Sequence, residues 1–260
     1  MTLLNRLVQI KICDLVFLVF LLINGYFASA QPGSVSEPVT ANAVMDRVAA
    51  MDKVRSEAMK GYVSIRTYHL ECHCLSHKEA DMVVQMSYQA PSSKEFTVLS
   101  ESGSGAIRDR VFKKLLEAEQ ESMQQEQQGR SALTPENYKF QLLEYEEREN
   151  DNFYLLDAQP RSRNKFLFRG KIWVDATDFA ITRIEGEPAV NPSWWTERTE
   201  FKRRYVKIGK FWLPQTNESE TKVRAFGKAV LAIDYGAYQI TETPGKMLAL
   251  SQQNTASSQP

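Results

Sequence analysis

The fold of this chain is decided between residues 165 and 240, where long strand-like segments follow one another almost without a break. The first reads Phe166-Leu-Phe-Arg-Gly-Lys-Ile-Trp-Val-Asp175, and after a short break the second reads Asp178-Phe-Ala-Ile-Thr-Arg-Ile-Glu-Gly-Glu187. Three further runs cover 195–208, 210–226 and 228–240. Aromatic and β-branched residues alternate in them with charged ones, which indicates strands with one buried and one solvated face. The connections are short, so we expect an antiparallel sheet.

Helical patterns interrupt the strands twice. Residues 42–60 carry an apolar stripe that starts at Val44 and Val48, and a second helix is predicted after Ser104, a suitable N-cap. Between the two helices we predict strands over 62–72, 80–89 and 95–100, and after the second helix strands over 138–150 and 153–158. This order predicts an α+β fold in which helices lie on one face of an antiparallel sheet.

The N-terminus has the pattern of a secretory signal. Arg6 and Lys11 precede the apolar run 15–23, and Ala28-Ser29-Ala30 matches the small-x-small motif that a signal peptidase accepts. The apolar run is too short for a spanning helix. We therefore predict cleavage after Ala30 and a periplasmic protein. Residues 31–41 and 243–260 are predicted to be disordered ends, because both are rich in small polar residues.

Composition excludes some classes of function. Lys and Arg together number 32, as do Asp and Glu, so the formal net charge is zero. Without a basic excess we predict no nucleic-acid binding. No nucleophile elbow and no phosphate-binding glycine loop are present in the sequence, and His and Cys are absent from 78 to 260. We therefore predict that the protein is not an enzyme and uses no cofactor.

Several segments resemble the LolA/LolB-like lipoprotein-carrier superfamily, which includes the sensor RseB. They are Gly170-Lys-Ile-Trp-Val-Asp175, Ala180 to Pro188, Gly209-Lys-Phe-Trp-Leu-Pro214 and Lys94-Glu-Phe96, which leads through Ser100-Glu-Ser-Gly103 into the second helix. The resemblance is greatest to exported outer-membrane lipoprotein-sorting proteins, and it spans residues 44–240. It implies a single domain over 42–242, a strongly curved antiparallel half-barrel of about nine to eleven strands with helices over its apolar concave face.

The resemblance also implies a carrier or binding protein for a lipid, an acyl chain or a lipoprotein. It further implies a monomer that works with a membrane-associated donor or acceptor protein. An RseB-like sensor or interaction module is the alternative. In the carriers an Arg on an early strand holds the lid, and Arg66 is the candidate here. The predicted lid residues are Ile107, Val111 and Leu115. The predicted cavity lining is Met82, Val84, Met86, Tyr88, Phe96, Val98, Phe166, Phe168, Ile172 and Val174, because alternation places these apolar side chains on a sheet face.

The segment His69-Leu-Glu-Cys72-His73-Cys74-Leu-Ser-His77 holds every His of the chain. Thiolates and imidazoles at close spacing suit zinc or copper, and if the hairpin loop wraps an ion the candidate ligands are Cys72, Cys74 and His77. A Cys72–Cys74 disulfide, or a hydrolase that uses this hairpin, are further alternatives. On an extended strand Cys72 and His73 face opposite ways. We therefore predict that no metal is bound here and that the cluster is an ordinary hairpin end.

Overall fold

A computed structural model describes residues 39–73, 77–91, 93–121, 131–147, 152–191, 196–224, 227–243 and 246–249. The predicted signal peptide and its cleavage site lie outside these residues. Helix α1 spans Ala41–Ala58. A second helical stretch, called here the 105–121 helix, consists of α2 (Gly105–Ile107), a π-helical turn (Arg108–Phe112) and α3 (Lys113–Glu121). The strands are β1 Gly61–His73, β2 His77–Gln89, β3 Ser93–Gly103, β4 Tyr138–Glu146, β5 Phe153–Pro160, β6 Phe168–Asp175, β7 Ala180–Pro188, β8 Thr196–Ile208, β9 Phe211–Val223, β10 Gly227–Thr243 and β11 Lys246–Ala249.

All eleven strands belong to one sheet, in the order β3-β2-β1-β10-β9-β8-β7-β6-β5-β4, with β11 beside β10. Every pairing is antiparallel. Neighbouring strands are consecutive in sequence except at the seam between β1 and β10, where Gly61 pairs with Thr241 and His73 with Lys228. Strands β3 and β4 are the edges of this path. The predicted α+β class and antiparallel sheet are confirmed.

The strand predictions succeed where alternation is regular. On β2 the predicted face of Met82, Val84 and Met86 is buried, and the intervening residues are partly or fully exposed. The C-terminal end differs from the prediction of a disordered tail over 243–260, because residues 246–249 form β11. No helix within the described part of the chain is both long and apolar enough to span a membrane.

Helix α1 packs against the sheet through its N-terminal half, and a side chain in its C-terminal half forms hydrogen bonds with a turn of the sheet. Val44, Met45 and Val48 are buried, in a cluster with residues of β4, β5 and β6. Beyond them the stripe ends, since Val54 is 58% exposed. Arg55 then donates hydrogen bonds to the backbone carbonyl oxygens of Asp178 and Phe179, at 2.9 and 3.0 Å. This fixes α1 to the turn between β6 and β7.

The 105–121 helix packs on the other end of the sheet. Ile107 and Phe112 are buried against Tyr68 of β1 and Met82 and Val84 of β2, and the rings of Phe112 and Tyr68 lie 6.0 Å apart. The π-helical turn adds a residue to the helical repeat, and apolar residues before and after it pack against the same cluster. Beyond Phe112, the partly buried residues are Leu115, Leu116 and Glu119. The two helical regions therefore pack against different strands of the sheet.

Candidate functional site

A cavity of about 680 Å³ lies beside the 105–121 helix. Its walls come from β1, β3, β8, β9, β10, the loop before β6 and the C-terminal half of the helix. A volume of this size is typical of sites for small molecules and acyl chains. The lining residues are Tyr62, Arg66, Tyr68, Lys94, Leu115, Ala118, Glu119, Ser131, Lys165, Phe166, Arg203, Arg204, Tyr205, Pro214, Thr216, Asn217, Ile233 and Tyr235.

The lining combines aromatic rings with positive charge. Five tyrosine or phenylalanine rings line it, and the cations Arg66, Lys94, Lys165, Arg203 and Arg204 face a single carboxylate among the lining residues, Glu119. Low-dielectric walls strengthen the field of charges that they enclose. The cavity is therefore suited to a ligand that has apolar surface and an anionic group.

A β-bulge lies between β8 and β9 where both strands line the cavity. Neighbouring residues of a regular strand face opposite sides of the sheet. Between Arg204 and Tyr205 the register against β9 shifts, since Arg204 pairs with Thr216 and Tyr205 with Pro214. The extra residue, Gln215, therefore belongs to β9, and a bulge bends the strand that carries it. Arg203, Arg204 and Tyr205 of β8 all line the cavity.

A charged cluster joins the helix to the sheet at the edge of this cavity. Arg66 Nη1 on β1 donates a hydrogen bond of 2.7 Å to Glu119 Oε2, and Lys94 Nζ on β3 donates one of 2.8 Å to Glu119 Oε1. Each oxygen of the Glu119 carboxylate thus accepts a hydrogen bond from a different strand. The side chain of Arg66 is only 3% exposed, whereas that of Glu119 is 26% exposed. A resemblance-based candidate, Arg66, therefore contacts the helix that carries the predicted lid residues.

Within this cluster, Arg66 and Glu119 each stabilise the ionised form of the other. Burial opposes ionisation of Glu119, but the hydrogen bond and charge of Arg66, with those of Lys94, outweigh it and lower the pKa of the carboxyl. Burial also opposes the charge of Arg66, while Glu119 raises its pKa. Burial raises the pKa of the neighbouring Tyr62 and Tyr235 to about 12 each, against the lowering effect of Arg66. Glu119 is therefore ionised, and both tyrosines are neutral, near neutral pH.

Arg66 retains unused hydrogen-bonding capacity. Its guanidinium carbon lies 4.9 Å from the ring centre of Tyr235 and 5.6 Å from that of Phe96, which are cation–π distances. Its buried Nε–H has no hydrogen-bond partner among the described residues. A buried donor without an acceptor is costly, so an acceptor group of a ligand entering this cavity would relieve that cost.

The structure places most of the predicted cavity residues elsewhere. Only Phe166 lines the cavity. Met82 and Val84 are buried in the cluster beneath the 105–121 helix, and Phe96 packs against that cluster. Ile172, Val174 and Phe168 belong to the cluster beneath α1. Met86 is fully buried, and Val98 is 46% exposed on the edge strand β3. The Tyr88 ring lies 5.4 Å from that of Tyr62, and its hydroxyl donates to the carbonyl oxygen of Pro91.

Of the three predicted lid residues, two pack against the sheet and one lines the cavity. Ile107 is buried and Val111 partly buried in the cluster with β1 and β2, whereas Leu115 lines the cavity. Sequence reasoning missed the tyrosines of the lining and all of its cations except Arg66. Their signal was present only as the cationic run 202–204 on β8, which alternation assigns to both faces.

All three His lie on the paired strands β1 and β2, at the end where Cys72 is also found. Cys72 is disulfide-bonded, so its sulfur is not a metal ligand, and Cys74 lies outside the described residues. The ligand atoms of Glu71, His73 and His77 lie within 4.8 Å of one another. The structure therefore groups His77 with a carboxylate and a second imidazole, not with Cys72.

Comparison with solved structures finds similar chains. A LolA superfamily protein from Nitrosomonas europaea is 14% identical, covers 80% of this chain and 96% of its own, and superposes with a TM-score of 0.36. A DUF1329 family protein from Desulfovibrio piger is 12% identical over 79% and 94% of the two chains, with a TM-score of 0.39. An outer membrane lipoprotein-sorting protein domain from Vibrio parahaemolyticus is 11% identical over 76% and 92%, with a TM-score of 0.37.

The other comparisons add nothing. No family model matches the sequence, and no curated protein matches it significantly. Because the TM-scores are all below 0.5 and the identities are below 15%, we draw no conclusion about function from these likenesses.

Proposed function

We propose that this protein is an exported, periplasmic carrier or binding protein. It holds the acyl chain of a lipid or lipoprotein in the cavity beside the 105–121 helix and takes part in outer-membrane lipoprotein sorting. The observation that carries the proposal is a cavity of about 680 Å³ whose wall is formed by a helix on one side and strands on the other. The mechanism requires no catalytic residue and no cofactor.

The composition of the wall defines the kind of ligand. Tyr62, Phe166, Tyr205 and Tyr235 offer ring surface to an acyl chain. Arg203, Arg204 and Lys165 offer hydrogen bonds to an anionic head group, and such charge-assisted bonds are stronger than neutral ones. The preferred ligand is therefore an anionic amphiphile, not a neutral hydrocarbon.

The 105–121 helix acts as the lid in this proposal. Its Glu119 is bound to β1 and β3 by Arg66 and Lys94, while Leu115 and Ala118 of the same helix line the cavity. Opening the lid breaks these two contacts. The buried Nε–H of Arg66 has no partner among the described residues, and an anionic head group that replaces Glu119 beside Arg66 would offer it an acceptor.

Binding of matched fluorescent probes tests the proposal. A long-chain fatty acid should bind, and the fatty alcohol of the same length should bind about ten-fold more weakly, because it loses at least one hydrogen bond to a charged group, worth about 1.5–3 kcal/mol. Arg204→Ala should weaken binding of the acid but not of the alcohol. Arg224→Ala, which changes an exposed arginine outside the cavity lining, is the control. Failure of the wild-type protein to bind either probe would contradict the proposal.

A second function is favoured by the edges of the sheet. On β3 the adjacent Val98 and Leu99 are 46% and 53% exposed, and on β4 Leu143 and Tyr145 are 45% and 47% exposed. Exposed apolar edge strands are sites of strand addition by partners. A sensor or interaction module, the alternative to a carrier, would use them. Affinity purification from periplasmic extract separates the two functions, since a carrier should retain lipid and a sensor a single protein partner.

A further inference from the structure

The outward-facing side of the β1–β2 hairpin carries three consecutive cross-strand pairs of metal-binding residue types. In the register of this hairpin His69 pairs with Asp81, Glu71 with Glu79, and His73 with His77. The intervening pair Leu70 and Ala80 is buried on the opposite face. Alternation thus collects every imidazole of the chain, together with three carboxylates, on one exposed stripe.

We infer that Glu71, His73 and His77 form a binding site for a divalent transition-metal ion such as Zn²⁺. His73 Nε2 lies 3.1 Å and His77 Nε2 3.7 Å from Glu71 Oε1, and the three ligand atoms are all within 4.8 Å of one another. In a tetrahedral zinc site with bonds of about 2.0–2.1 Å, neighbouring ligand atoms are about 3.3–3.4 Å apart. Only small side-chain rotations are needed to reach this geometry.

The ligand set indicates the class of ion. Two imidazoles and one carboxylate suit zinc, copper or nickel better than calcium or magnesium, which prefer oxygen ligands only. Three protein ligands leave a fourth position for water. Because Cys72 is disulfide-bonded, the site does not depend on its sulfur.

The charges around the site also favour a cation. Glu71 and Glu79 are directly opposite each other, and like charges at such positions destabilise a hairpin. His77 Nε2 lies 3.9 Å from Glu79 Oε2. On the other side of β1, Lys228 of β10 pairs with His73 in the register, but its Nζ lies 2.7 Å from Glu220 Oε2. A divalent ion would offset the repulsion between the two glutamates.

The ring geometry agrees with this assignment. The ring centres of His73 and His77 are 5.2 Å apart, with an interplanar angle of 48°. The rings are therefore tilted and not stacked, and both present a nitrogen to the same glutamate oxygen. His69 lies outside the group, since its Nδ1 is 2.7 Å from Asp81 Oδ1.

Calorimetric titration of the mature, thiol-alkylated protein with Zn²⁺ at neutral pH tests the inference. We expect one ion per chain. Removal of a second-shell partner already weakens metal sites by about 10–100-fold, so His73→Asn, His77→Asn and Glu71→Gln should each weaken binding at least about ten-fold. His69→Asn, which removes an imidazole of the same stripe outside the site, should leave the affinity unchanged.

Spectroscopy of the Co²⁺-substituted protein gives an independent readout. The d–d absorption should be that of a nitrogen- and oxygen-ligated ion without thiolate charge transfer, and it should disappear in His73→Asn with His77→Asn while circular dichroism is unchanged. These side chains are about half exposed, so the variants should fold. The inference is overturned if the wild type binds no stoichiometric ion, if the double variant binds as tightly, or if His69→Asn loses as much affinity.

Discussion

Arg66 shows how a single residue connects the sheet to the helix above it. A guanidinium that is 3% exposed is tolerated because a helical carboxylate and two aromatic faces surround it. The attraction between Arg66 and Glu119 need not exceed the cost of removing both charges from water. Loss of one partner, in contrast, leaves an uncompensated buried charge, and this asymmetry makes the pair a sensitive test of the structure.

Glu119→Gln should therefore lower the free energy of unfolding by about 3–5 kcal/mol, the usual effect of breaking a buried ion pair on one side. Urea denaturation at neutral pH measures the change. Glu117→Gln is the control, because Glu117 is exposed on the same helix, and its effect should stay within about 0.5 kcal/mol. Equal midpoints for the two variants would show that the pair does not hold the helix.

The pH dependence of stability should follow from the same carboxyl. Its pKa is lowered by Arg66 and Lys94 against the effect of burial. An acid whose folded-state pKa is lowered contributes stability that is present above the ordinary value, 4.5 for this group, and that is lost as the pH falls through the lowered pKa. The stability difference between wild type and Glu119→Gln should thus be constant from pH 7 to about 5 and shrink in more acidic solution. A difference that grows on acidification contradicts the sign.

Among the elements, β6 and β7 approach each other unusually closely at a pair of glycines. Gly170 and Gly186 are directly opposite. A Cβ added at Gly170 would lie 2.0 Å from the carbonyl oxygen of Glu185, and one at Gly186 would lie 2.3 Å from that of Arg169. Both obstacles are backbone atoms, which cannot turn aside as a side chain can.

Gly170→Ala should accordingly cost at least about 1–3 kcal/mol, as overpacking does, while Gly236→Ala on β10 should be neutral or slightly stabilising. Nothing lies within 4 Å of a Cβ added at Gly236. Thermal unfolding of the two variants side by side measures both effects. If the two alanine variants melt at the same temperature, the close approach of β6 and β7 is not real.

The cavity and the core beside it should respond in opposite ways to added bulk. Val84→Trp should destabilise the protein by about 1–3 kcal/mol, because Val84 is fully buried in a packed cluster. Ala118→Trp on the 105–121 helix fills the cavity that it lines. It should keep the melting temperature and abolish binding of the fluorescent fatty acid. Binding that persists in Ala118→Trp would place the ligand elsewhere.

The same two positions show what sequence reasoning could reach. Alternation located Val84 on a buried face of β2, because a period of two identifies the apolar side of a strand. It could not tell whether that face meets a packed helix or a cavity, since this depends on where the 105–121 helix lies. The cationic lining of the cavity could not be predicted from the sequence for another reason. Arg203, Arg204 and Tyr205 all line the cavity although they are consecutive, whereas a period of two assigns neighbouring residues to opposite faces.

At the scale of the whole molecule, the proposed export determines which chain folds. If the signal is cleaved after Ala30, N-terminal sequencing of protein recovered from the periplasm should begin at Gln31, because Ala28-Ser29-Ala30 offers the cleavage motif. Ala28→Asp with Ala30→Asp should block processing and leave the full-length chain with the membrane. Recovery of protein that begins at Met1 from the soluble periplasmic fraction would contradict the proposed export.

The seam between β1 and β10 has a consequence for the order of events in biosynthesis. Synthesis begins at the N-terminus, yet β1 obtains its second neighbour only when residues 228–241 have been made. Until then the β3-β2-β1 unit has an unpaired edge. Pairings between distant parts of a chain also form slowly, since loop closure precedes the contacts that repay it. The polypeptide therefore remains incompletely folded throughout its synthesis, which is the condition that a chain threaded unfolded across a membrane requires.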